Sequence, residues 1–165
     1  MPNPDKTIDA VIDALADAIE WILPGTVVVR GNQNRVPMPQ GNFIALTELF
    51  HEDIETPAYK FDGTQNEVEI KQPLRATIQC DVYGAGACNI ASALLAVMNS
   101  IVCNDHVPPE MDILYAGELK QATMVDASDQ FLERWNFTVV MQYNIGVTLP
   151  QEHGDVLITT VHKVE

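Results

Sequence analysis

The sequence predicts an α+β fold: an antiparallel or mixed β-sheet with two main helices packed on one face, in a single domain over residues 1–165. Three observations predict it. Two stretches, one near the N-terminus and one after Gly86, repeat apolar residues at three- and four-residue spacing, the period of a helix with one buried face. Several other runs alternate apolar and polar residues, the period of a half-buried strand. Helices and strands do not alternate regularly along the chain, which disfavours a doubly wound parallel sheet.

The first helix is expected over Asp5–Leu23. Ile8, Val11, Ile12, Leu15, Ile19 and Ile22 form its apolar stripe, Asp5 is placed as its N-cap, and Pro24-Gly25 stops it. Its opposite face carries Asp9, Asp13 and Asp17, a like-charge spacing that weakens an isolated helix. Thr26–Arg30 reads as a short strand. "GNQNRVPMPQGN", Gly31–Asn42, is a loop by composition. Phe43–Phe50 is strand-like, and "HEDIETPAYKFDGTQNE" is a polar, acidic connection, extended around Tyr59 and turning at Asp62-Gly63.

In "RATIQCDVYGAGACNIA", Ala76, Ile78, Cys80 and Val82 alternate with polar residues and predict a strand. A helix follows, taken as one element over Ala87–Asn104, with Ile90, Leu94, Val97, Met98 and Ile101 on one face. "MDILYAGELKQATMVDASDQ" has no clear period. Glu133–Val147 is the clearest strand, alternating from Trp135 to Val147 for about 40 Å at roughly 3.3 Å per residue. "GDVLITTVHKV" is a last β-run after the Pro150–Gly154 break.

Nine basic against 23 acidic residues give a net charge of −14. Gripping nucleic acid needs Lys and Arg to neutralise phosphates, so DNA is not a specific ligand. No apolar run approaches the roughly 20 residues that span a bilayer, and no membrane partner is expected. The N-terminus lacks the basic-then-apolar layout of a secretion signal, so synthesis and assembly are expected in the cytoplasm. Three cysteines, Cys80, Cys88 and Cys103, make neither a disulfide framework nor a zinc pair.

Gly84-Ala85-Gly86 lacks the third glycine of a dinucleotide fingerprint, and no Lys followed by Ser or Thr makes a phosphate loop. Its glycines are expected to permit a tight strand-to-helix turn. Cys88, in the first turn of a helix, has the place of an activated thiol. A nucleophile also needs a base, and no motif ties His51, His106, His153 or His162 to it. "HEDIE" lacks the second histidine of a zincin. No catalytic residue, metal ligand or cofactor is expected.

Three segments, "GNQNRVPMPQGNFIALTEL", "RATIQCDVYGAGACNIASAL" and "QFLERWNFTVVMQYNIGVTLPQE", together resemble the neck or tail terminator proteins of tailed phages. The resemblance implies a small α+β virion protein, not an enzyme and without cofactor. It would cap the finished tail tube as a homo-oligomeric, usually hexameric, ring. Its partners would be tail tube and sheath proteins and the head–tail connector, with DNA passing through unbound. On this reading Asp9, Asp13 and Asp17, or Glu52, Asp53 and Glu55, are expected to face the lumen. Gln33, Asn34, Arg35, Pro37, Pro39, Trp135 and Tyr143 are expected at subunit contacts. Two readings from other classes compete: a cytosolic enzyme using Cys88 as nucleophile, and an acidic regulatory protein that mimics DNA.

Overall fold

The computed structural model describes residues 4–32, 37–122, 124–125 and 131–151. In chain order its elements are α1 (Ile8–Ile22), β1 (Val27–Arg30), β2 (Phe43–Asp53), β3 (Ala58–Asp62), β4 (Glu67–Tyr83), α2 (Ala87–Met98), α3 (Ile101–Asn104), β5 (Met111–Gln121), β6 (Met124–Val125), β7 (Phe131–Leu132) and β8 (Arg134–Pro150). The fold is α+β, as the sequence predicts.

Its axis is a pair of 17-residue strands. β4 and β8 run antiparallel in unbroken register, from Glu67 opposite Pro150 to Tyr83 opposite Arg134. The alternation seen in sequence decides which face is buried. Leu74, Ala76, Ile78, Cys80 and Val82 lie opposite Tyr143, Met141, Val139, Phe137 and Trp135, and directly paired residues share a face. All but Trp135 are buried.

Around this pair the sheet is mixed, in the order β1-β2-β4-β8-β5, with β3 also on β4. β2 pairs antiparallel with the upper part of β4 through a bulge between Glu48 and Phe50, and β1 lies parallel to β2. β5 pairs with β8 through two bulges, which blunt an edge strand against unwanted pairing. β6 and β7 form a separate two-stranded ladder.

The helices cover one face of the sheet. Val11, Leu15, Ala18 and Ile19 of α1 and Ala87, Ala91 and Leu94 of α2 are fully buried in one cluster with the inward residues of β2, β4, β5 and β8. Each such leucine or isoleucine contributes about 1.5–3 kcal/mol relative to exposure. On the opposite face Phe43, Ala45 and Tyr83 form a small second cluster among the described residues.

Several expected boundaries move, each for a local reason. Thr7, not Asp5, caps α1, its hydroxyl accepting the N–H of Ala10. Asp5 instead closes a strand edge: its N–H donates to Gly146 O at 2.9 Å, and its carboxylate accepts the N–H of Gly146. The expected helix from Ala87 to Asn104 is two helices. Asn99 leaves helical geometry because its amide bridges to β5, accepting from Ala116 N–H at 2.9 Å and donating to Ala116 O at 2.7 Å. The unassigned stretch from Met111 is β5, and the acidic connection after Phe50 is the end of β2 followed by β3. The run from Gly154 lies outside the described residues, as do Gln33, Asn34 and Arg35.

Candidate functional site

The corner between β4 and α2 is where sequence places the strongest chemical candidates, and its geometry is closed. Gly84 (φ 103°) and Gly86 (φ 75°) both occupy the left-handed region, open to glycine at little cost. A Cβ on Gly84 would also collide with the Asn42 side chain. Gly86 is the N-cap of α2 and has no side chain to satisfy the first-turn N–H groups.

Glu133 supplies what Gly86 lacks. Its carboxylate accepts from Gly86 N at 3.0 Å, from Cys88 N at 3.3 Å and from the Trp135 indole at 3.2 Å. Its own carbonyl accepts from Gly84 N at 3.0 Å. The helix terminus that could cradle a phosphate therefore holds an internal anion, stabilised by the helix dipole. Sequence reading missed this role, because Glu133 stands 47 residues from Gly86 and carries no local motif.

Cys88 is half-buried at this corner, where its backbone N–H donates to the Glu133 carboxylate. Five well-formed clefts among the described residues are lined neither by Cys88 nor by a histidine. Burial, with a smaller contribution from the adjacent Asp81 charge, pushes the Cys80 thiol far up, and burial raises that of Cys103. No group of three or more His, Cys, Asp or Glu side chains placed for a metal occurs among the described residues.

A cleft of about 380 Å³ lies on the sheet face away from the helices, lined by Pro37, Met38 and Pro39. At its floor Asp81, 3% exposed, pairs with Arg134 at 3.0 Å and accepts from Gln79 at 2.8 Å. Arg134 lies over the Tyr83 ring at 5.4 Å, and Tyr83 stacks on Phe43 at 4.4 Å between centroids. Burial, then the Asp81 charge, raises the Tyr83 pKa. Every charge here has a partner, so the cluster acts as a polar buttress.

The expected surface residues are distributed unevenly. Asp9, Asp13 and Asp17 are exposed on α1, but Arg30 reaches across to pair with both Asp9 and Asp13, the latter at 2.6 Å. Those bonds, Asp13 first, raise the Arg30 pKa. Glu52 lies on the far face of the sheet, bonded to Arg75 at 2.8 Å, while Asp53 ends β2 and Glu55 follows it. Glu52 is therefore on the side of the sheet away from α1, whereas Asp53, opposite Leu74, has the parity of the helix side. Pro37 and Pro39 roof the cleft, and Trp135 is partly buried. Tyr143 corrects its expected place: it is 2% exposed, packed in the core on the helix side, because it falls on the inward parity of β8.

A family model described as the phage neck terminator protein matches residues 9–164. The chain belongs to that family. The resemblance carried by the three sequence segments is the same one. Among solved structures, the sheath/tube terminator of an extracellular contractile injection system (PVC, extended state) shares the fold, with a TM-score of 0.56 at 11% identity over 97% of this chain. This chain spans 65% of the length of that terminator. A second solved chain aligns over 90% of this one and 99% of its own at 14% identity, with a TM-score of 0.34, too distant to bear on the fold. No curated protein matches the sequence.

Proposed function

We propose that this neck terminator caps the phage tail tube as a homo-oligomeric, hexameric ring in the neck of the virion, and joins the tube to the head connector. The family match over residues 9–164 carries the reading. Tube and sheath proteins are its neighbours on the tail side, and the genome passes through its lumen without specific binding. A chain of net charge −14 repels a polyanion rather than holding it. The filled corner at Glu133 supports a structural protein with no catalytic centre and no cofactor.

For the lumen wall we propose α1, which presents Asp9, Asp13, Asp17 and Glu20 and no basic residue. Glu52, Asp53 and Glu55 are the alternative wall. The cleft roof at Pro37 and Pro39, the adjoining Gln33, Asn34 and Arg35, and the partly buried Trp135 are proposed to meet neighbouring subunits.

Mass measurement in solution, with electron microscopy of the protein alone and mixed with tail tubes, tests this. Rings, or density at tube ends, are expected. A protein that forms no ring and leaves tube ends unoccupied refutes the proposal. A ring map with the α1 carboxylates on its outer wall refutes the lumen assignment alone.

A further inference from the structure

Among the described residues β5 is the outer strand of the sheet on the β8 side. Its middle, "ILYAG" (Ile113–Gly117), holds no charged residue and no proline. Leu114 and Tyr115 within it are 49% and 52% exposed. An uncharged, apolar edge of this kind is a template for pairing with another chain. Edges are commonly guarded by lysine, by proline or by a bulge. Of these the stretch has the bulge alone, at Leu114.

Two asparagines supply what the stretch lacks. Asn99 is the C-cap of α2 and Asn104 the last residue of α3, on either side of the break between the helices. Asn99 accepts from Ala116 N–H at 2.9 Å and donates to Ala116 O at 2.7 Å. Asn104 treats Ile113 in the same way, accepting its N–H at 2.9 Å and donating to its carbonyl at 3.3 Å. In an antiparallel ladder a residue gives both its backbone groups to one neighbour or neither. With both groups taken by an asparagine, Ile113 and Ala116 present them away from β8. They lie opposite Met141 and Val139, one two-residue repeat apart, because the bulge absorbs the extra residue of β5. The four bonds are therefore those that a further strand would make. Asparagine suits the task because its side-chain amide carries a donor and an acceptor together, as the peptide group does. The stretch is also bounded by left-handed backbone at Glu110 (φ 67°) and Glu118 (φ 63°), which regular strands do not contain.

We propose that Asn99 and Asn104 lock the β5 edge against strand addition by a second copy of this chain. A second copy is the competitor the lock has to exclude, because it carries the same edge. Two β5 strands brought together antiparallel about a two-fold axis pair "ILYAG" with itself, and any assembly that gathers copies raises the effective concentration of that edge. The lock acts on backbone groups alone. Leu114 and Tyr115 keep their side chains exposed for contacts that do not extend the sheet.

The test compares the full chain with its Asn99→Ala/Asn104→Ala variant by sedimentation velocity over a range of concentrations, and repeats the comparison in a Leu114→Lys background. A lysine on the edge blocks strand pairing by another route and, by reducing the negative charge of the chain, adds nothing to general repulsion between copies. In the parent background the two alanines should raise the mass of the main species about twofold or more, as like edges pair about a two-fold axis. In the L114K background they should leave the mass unchanged, with the same loss in urea midpoint as in the parent background. If the double variant loses its far-UV circular dichroism, N99A and N104A singly are compared in the same two backgrounds. Unchanged mass in the parent background overturns the proposal. Equal association in both backgrounds also overturns it, and assigns the association to general destabilisation.

Discussion

Removing the Glu133 carboxylate isolates how the corner between β4 and α2 is held. Glu133→Ala deletes three accepted hydrogen bonds at once, from Gly86 N, Cys88 N and Trp135 Nε1. Loss of a helix cap costs about 1 kcal/mol, and loss of a negative charge at a helix N-terminus about 0.3–1 kcal/mol. The indole and the Cys88 N–H are partly buried and recover water incompletely, adding about 0.5–1 kcal/mol. The total is about 2–3 kcal/mol, or a fall in Tm of about 4–10 °C for a chain of this size. Glu133→Gln keeps an acceptor oxygen and loses the charge, so its cost is about 1 kcal/mol. Urea unfolding followed by far-UV circular dichroism measures both. Stabilities of both variants within about 0.5 kcal/mol of the parent would refute the view that this carboxylate does the work of the missing cap.

Alkylation of the native protein at pH 8 followed by mass spectrometry should modify Cys88 alone and slowly, since Cys80 and Cys103 are buried with thiol pKa values pushed up. Fast, stoichiometric loss of Cys88 at neutral pH would revive the nucleophile reading. Glu110 is held below its ordinary 4.5 by hydrogen bonds from Lys6 and then Lys71. A depressed carboxylate stabilises above its unfolded pKa and loses that contribution as pH falls through the folded one. Wild type should therefore exceed Glu110→Gln in urea melts at pH 7, less so in high salt, with the difference shrinking as pH falls below the ordinary carboxylate range. Asn99→Ala removes both bonds that tie the end of α2 to Ala116 of β5. A loss of about 1–2 kcal/mol is expected, with faster amide exchange confined to the edge of β5.

Periodicity made the elements of the body legible, because a buried face imposes its period on the residues that fill it. Trp135 to Val147 alternate in sequence and alternate in the sheet; the α1 stripe of Val11, Leu15 and Ile19 is the buried stripe. What stayed hidden depends on partners distant in the chain. Nothing beside Glu133 announces that it caps a helix beginning at Ala87, and Asn99 looks like any helical residue until β5 offers Ala116. Strand β3 was obscured for a different reason. Lys60, Asp62 and Glu67 are charged because one face of the sheet there is solvated, and that charge masked the alternating Tyr59 and Phe61. Tyr143, expected at a subunit contact, is core because its parity on β8 is that of the buried face.

The same parity argument constrains how such a chain assembles. Each subunit carries −14, and like charges brought within a Debye length of about 8 Å repel at physiological salt. Pairs such as Arg30 with Asp9 and Asp13, Arg75 with Glu52 and Arg134 with Asp81 commit three of the nine basic residues within the chain. Lys6 and Lys71 are committed to Glu110, leaving few cations to bridge one subunit to the next. In the proposed ring, contacts between copies would draw on apolar surface, such as Ile101 and Val102 of α3 and Leu114 and Tyr115 of β5, all exposed. Within that proposed ring, such a division would hold subunits together through neutral patches and leave the surface toward the genome non-adhesive.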